Sequence, residues 1–147
     1  MAALARLKPF ILERDDYECV VSGTEWQWRI PCSGDLTLQH RVARGAGGSG
    51  QYDQPEFLVI MCWRHNMLEP ANSEFRQACE DHGWSIPRKL VEPPMGMLHD
   101  DGYRIEVVRR IPVHYRDGWH ELDEKRRKGI TDEDAQTRLE SVYGKQE

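Results

Sequence analysis

The sequence predicts an α+β fold, with a mixed core over about residues 10–86, a small β-containing C-terminal extension and a terminal helix. Three observations predict it. Leu36-Thr37-Leu38-Gln39-His40 alternates apolar and polar residues as a half-buried strand does, and Phe57-Leu58-Val59-Ile60-Met61 is a continuous apolar run of strand length. Stretches of helical spacing flank these two runs. From Pro87 onward the chain turns to short strand-like runs broken by turn signals, which divides it into a region 1–87 and an extension 88–147. Its 147 residues are the size of one ordinary domain.

Residues 3–16 read as a short helix, because Leu4, Leu7, Ile11 and Leu12 fall at helical spacing, with its regular part starting near Pro9. Residues 17–35 carry turn chemistry, in Cys19-Val20-Val21-Ser22-Gly23 and in Pro31-Cys32-Ser33-Gly34-Asp35. Trp26 and Trp28, two residues apart, would share one face of a strand there. Arg41 to Gly50 is a glycine-rich loop between the two strand-like runs. Cys62 to Glu69 reads as a helix and Glu74 to Asp81 as another, with Ser73 placed to cap it and Gly83 to end it. Pro93-Pro94 marks a connector, and Tyr103–Val108 and Val113–Tyr115 look like short strands. Asp117-Gly118 is a hairpin signal before Trp119–Leu122. Thr131 is placed to cap a last helix on which Ala135, Leu139 and Val142 share a face, and Gly144 to end it.

Composition excludes several classes. No apolar run reaches the roughly 18 residues of a membrane span, and Met1 to Lys8 lacks the pattern of a secretory signal, so a cytoplasmic protein is expected. Four cysteines in a reducing compartment point to metal ligation or plain burial rather than disulfides. Twenty Lys+Arg against 25 Asp+Glu give a net charge of −5, which counts mildly against a nucleic-acid binder. The acidic excess sits mostly in the middle third of the chain.

Three pieces carry the most specific pattern: Cys19-x-x-Ser22-Gly23, then Leu38-Gln39-His40-Arg41-Val42-Ala43-Arg44-Gly45-Ala46-Gly47-Gly48-Ser49, then Leu58-Val59-Ile60-Met61-Cys62-Trp63-Arg64-His65-Asn66. A strand ending in His, a long loop, a second strand and a ligand-bearing helix is the ββα-metal arrangement. Over roughly residues 12–87 the chain resembles the small HNH endonucleases of bacteriophages. The resemblance implies a ββα-metal core and hydrolysis of DNA phosphodiester bonds, with Mg²⁺ or Mn²⁺ steadying the leaving oxygen. It implies His40 as the general base that takes a proton from water. Gln39 and Asn66 fall at the family's metal-ligand positions, where it normally has Asp or His and His; both are neutral amides here. A helix shifted by one residue would instead pair His65 with Glu69 on one face. The family's two Cys-x-x-Cys pairs read Cys19-x-x-Ser22 and Cys62-x-x-His65. Cys32 could complete a structural zinc set of Cys19, Cys32, Cys62 and His65.

Arg41 and Arg44 frame the glycine-rich loop and are candidates to grip phosphate, with Arg64 behind them. Cys79 reads as a core residue. Lys125-Arg126-Arg127-Lys128 could touch a nucleic-acid backbone or simply be a solvated link. The leading expectation is a phage-type HNH-like nuclease with DNA as its partner, in the host bacterial cytoplasm. The alternative is a scaffold that has lost catalysis and binds nucleic acid or a phage or host protein.

Overall fold

The computed structural model describes residues 2–43, 52–92 and 101–144. β1 (Leu36–His40) and β2 (Leu58–Cys62) pair antiparallel, from Leu36 opposite Cys62 to His40 opposite Leu58. Every residue of β2 is buried. Side chains alternate across a strand, so both faces of β2 must be covered. On one face Leu58 and Ile60 pack with Ile11 and with Leu4, Leu7, Leu36 and Leu38. On the other, Val59 and Met61 join Val20, Trp26, Phe75, Cys79 and Trp84. That two-sided burial is why β2 reads as an unbroken apolar run.

α1 (Ala2–Arg14) covers the first face and carries Pro9 inside it rather than at its start. Its apolar stripe, packed on the sheet, outweighs the one backbone hydrogen bond that a proline removes. Asp16 and Tyr17, at φ 58° and 55°, then turn the chain out of the helix. α2 (Glu25–Arg29) is a helix where alternation of the two tryptophans suggested a strand. Trp26 is 4% exposed and Trp28 83% exposed, so one packs on Phe75 and the other faces solvent. α3 (Trp63–Ala71) and α4 (Ser73–Asp81) cover the second face. Asn72, not Ser73, caps α4, its side chain accepting from the Phe75 N–H at 2.9 Å. Gly83 ends the stretch at φ 74°; a Cβ there would meet the Pro112 carbonyl.

α5 (Asp101–Arg110) occupies the stretch expected as a strand over Tyr103–Val108. Its β-branched content favours a strand locally, but Val107, Val108 and Ile111 are buried against Val42, Tyr52, Phe57 and Ile86. Tertiary burial overrides the propensity. β3 (Val113–Tyr115), β4 (Gly118–Leu122) and β5 (Arg127–Gly129) form an antiparallel sheet in that order, with Asp117-Gly118 at the first turn. β5 takes up part of the Lys125–Lys128 cluster. α6 (Asp132–Tyr143) starts at Thr131, whose hydroxyl accepts from the Asp134 N–H at 3.0 Å, and ends at Gly144.

The boundary between residues 87 and 88 is not a break in packing. Val113, Tyr115 and Leu122 belong to the cluster that holds Cys19, Met61 and Phe75, and Val107, Val108 and Ile111 to the one that holds Val42 and Phe57. Two buried polar nodes reinforce this. Asp15 accepts from Arg14 Nε at 2.8 Å, the Ile60 N–H at 3.0 Å and Tyr115 Oη at 3.0 Å, joining α1, β2 and β3. Arg41, 1% exposed, donates to the carbonyls of Gly83, Glu56 and Ile111 at 2.7–2.8 Å. Among the described residues no helix is long and apolar enough to cross a membrane.

Candidate metal centre

Three segments distant in sequence deliver sulfur to one point. Cys19 follows the end of α1, Cys32 lies in the loop after α2, and Cys62 closes β2. His65, one turn into α3, supplies nitrogen. Its Nδ1 lies 3.2 Å from Cys62 Sγ, 3.7 Å from Cys32 Sγ and 3.8 Å from Cys19 Sγ. All four ligand atoms fall within 4.8 Å of one another. A tetrahedral ion with sulfur at about 2.3 Å and nitrogen at about 2.0 Å would set nitrogen–sulfur separations of about 3.6 Å. The cluster is already near that shape and could hold a metal ion.

The ring of His65 is oriented for the task. Nε2 sits 2.7 Å from the Ile30 carbonyl, which can only accept, so Nε2 carries the proton and Nδ1 turns its lone pair to the sulfurs. The His65 backbone N–H meets Cys62 Sγ at 3.4 Å, a donor suited to a thiolate. The Cys62 thiol is drawn below its ordinary value, first by the hydrogen bond from Cys19 and then by His65. The same sharing with Cys62, then burial, pushes Cys19 up, and burial followed by the Cys62 charge pushes Cys32 up. Three sulfurs this close resist carrying three negative charges without a cation. That property, with a soft donor set, fits a thiophilic ion.

The neighbouring polar face of the same helix is arranged differently. Asn66 Nδ2 donates to Thr37 Oγ1 at 2.7 Å and the Leu38 carbonyl at 3.2 Å, pinning α3 to β1. Gln39 Nε2 donates to Ser85 Oγ at 3.3 Å, and Ser85 Oγ donates to Glu69 Oε2 at 2.8 Å. Glu69 therefore joins Gln39 through Ser85. It does not pair with His65, which is 0% exposed and committed to the sulfurs. Among the described residues, the Cys/His cluster is the one group of three or more His, Cys, Asp or Glu side chains that could hold an ion. The Gln39 and Asn66 amides, nitrogens spent on protein oxygens and with no carboxylate beside them but the engaged Glu69, do not fit a dedicated Mg²⁺ or Mn²⁺ site.

His40 ends β1 on the face opposite Gln39, and its Nε2 lies 2.9 Å from Asp53 Oδ1. Sequence reasoning missed Asp53. An antiparallel pair returns the residues before β2 to the end of β1, so an acid shortly before Leu58 was the available signal. Ser85 was missed as well and left no local mark. Arg41 does not face a ligand: its guanidinium is consumed by three carbonyls, and burial pulls it down to about 10. Arg44 and the glycines 45–50 lie outside the described residues. Arg64 is exposed and donates to the Pro31 carbonyl at 3.2 Å. Cys79 is 0% exposed in the core, where burial raises its thiol.

Comparison with protein-family models, with curated proteins and with solved structures finds no match to this chain.

Proposed function

We propose that the chain is a zinc-stapled HNH-like protein that hydrolyses phosphodiester bonds in DNA. The observation that carries the reading is the His40–Asp53 pair, 2.9 Å apart, at the end of the first strand of a hairpin-then-helix unit. Asp53 accepts from Nε2–H of His40, which leaves Nδ1 as the lone pair that takes a proton from water. Zinc on Cys19, Cys32, Cys62 and His65 has a structural role: four strong ligands leave no open position. Mg²⁺ or Mn²⁺, which the HNH resemblance implies, finds no dedicated site at Gln39 and Asn66, so the chemistry assigned to the protein itself is the proton transfer.

A second reading has its own observation. The Gln39 and Asn66 nitrogens are engaged with Ser85, Thr37 and Leu38, as in a scaffold that has stopped using this face for catalysis. Such a protein would bind DNA, or a phage or host protein, without cutting. Plasmid cleavage by the zinc-loaded protein, with Mg²⁺ or Mn²⁺ added, separates the two. The nuclease reading expects His40→Ala to lower the rate by about 10²-fold or more. Equal rates for parent and His40→Ala would remove His40 from the chemistry, and DNA binding without cleavage in any metal would establish the scaffold.

A further inference from the structure

We infer that the β4–β5 turn is a surface that grips the phosphate backbone of duplex DNA. This rests on DNA being the partner, though not on cleavage. Asp123 Oδ1 accepts from the backbone N–H groups of Lys125 at 2.7 Å and Arg126 at 2.9 Å, which uses up that acid in building the turn. Arg127 turns inward, its guanidinium 4.2 Å from the Tyr115 ring centre and 2.6 Å from Asp16 Oδ2. Lys125, Arg126 and Lys128 are left exposed on a chain whose net charge is −5. Glu124 is the one other acid within the turn.

Further cations lie on α5. Arg109, in the last turn of α5, reaches Glu56 Oε2 at 2.7 Å, and Glu56 belongs to the short turn Pro55–Phe57, three residues beyond Asp53. Asp123 lies within the electrostatic reach of both Arg126 and Arg109. Arg110, next in sequence, is also exposed. The sequence pointed to Arg41 and Arg44 for the phosphate contact, and Arg44 lies outside the described residues. Arg41 is interior, and this turn offers exposed cations that can do what Arg41 cannot. Lys and Arg on an exposed turn suit a polyanion of fixed geometry without reading its bases.

The test measures binding of a labelled duplex by fluorescence anisotropy across a salt series, with zinc-loaded protein carrying His40→Ala so that nothing is cut. Adding Lys125→Ala, Arg126→Ala and Lys128→Ala should weaken binding about 10-fold near 0.1 M salt and make the slope of log K against log[salt] less negative by about 2–3. The thermal midpoint should stay put, because all three side chains are exposed. Arg6→Ala with Lys8→Ala and Arg88→Ala removes the same charge elsewhere and should leave the slope unchanged. The inference is overturned if the turn variant matches its background, or if the control set loses as much. A His40→Ala protein with no affinity for duplex DNA at low salt overturns the DNA reading and this surface together. With His40 intact, plasmid cleavage that survives the turn substitutions at full rate and affinity overturns the surface alone.

Discussion

His65 and Asn66 are neighbours on α3 with opposite fates. His65 is fully buried, hydrogen-bonded through Nε2 to Ile30 and aimed through Nδ1 at three sulfurs. Asn66, half-buried, is tied to Thr37 and Leu38 of β1. Successive helical residues point about 100° apart, so adjacent side chains meet different parts of the chain: the loops that carry Cys19 and Cys32 in one case, a strand in the other. The lesson is that one turn of helix holds a candidate metal staple and a polar face with no hydrogen-bond partner in common. It also closes the shifted register, because a ring enclosed by thiols cannot serve Glu69.

The sharpest way to break this contrast is to remove the metal end. His65→Ala, or a strong chelator, should destabilise the fold by on the order of 5 kcal/mol or more, since structural zinc binding is folding free energy. Trp26 reports it, because Trp26 packs on Phe75 at 5.0 Å and Phe75 on His65 at 5.4 Å. A chelator that leaves both the thermal midpoint and the Trp fluorescence unchanged would show that no ion staples the core. Arg41→Met comes next, at about 3–5 kcal/mol, because three buried carbonyls lose their donor at once. Denaturant titration measures it, and an Arg41→Met protein with parental stability would mean those carbonyls find other partners.

Asn66→Ala should cost only about 1–2 kcal/mol for its two hydrogen bonds. Zinc stoichiometry, read by elemental analysis, should remain that of the parent. Loss of zinc in this variant would show the two ends of the turn to be one unit after all. The smallest effect lies in the seam where His114 of β3 packs against His82 at 5.2 Å and Trp119 at 4.9 Å. Burial, then His82, holds His114 below its ordinary value of 6.5, against the opposing pull of Asp132. The folded chain refuses a proton that the unfolded chain accepts, so stability falls as pH drops below about 6.5 and levels off below the folded value. His114→Phe should reduce the loss of urea midpoint between about pH 7.5 and about pH 5.5. An unchanged loss would place the acid sensitivity elsewhere.

Much of the core unit was legible beforehand. β1 and β2 announce themselves by alternation and by a continuous apolar run, and the Thr131 cap and the Asp117-Gly118 turn are local chemistry that a short window contains. α5 was not legible, because Ile105, Val107 and Val108 favour a strand until the cluster around Val42 and Phe57 buries them on a helix. The tryptophans misled for the same reason. Trp26 and Trp28 alternate as in a strand, yet α2 sends them to opposite sides. The set Cys19, Cys32, Cys62 and His65 follows from the Cys-x-x-Cys pairs that the HNH resemblance implies, with Cys32 in place of Ser22, and the structure brings its four ligand atoms within 4.8 Å of one another.

By itself the sequence determined which residues carry ligand or base chemistry, the strands β1 and β2 and the Asp117-Gly118 turn, because those depend on side-chain chemistry and on periods of two to four residues. Tertiary structure decided which candidates meet. It gave His40 its Asp53, linked Gln39 to Glu69 through Ser85, and enclosed Arg41 among the carbonyls of Glu56, Gly83 and Ile111. The physical reason is that each of these contacts is closed by packing between elements far apart in the chain. No local window contains the free energy that selects them.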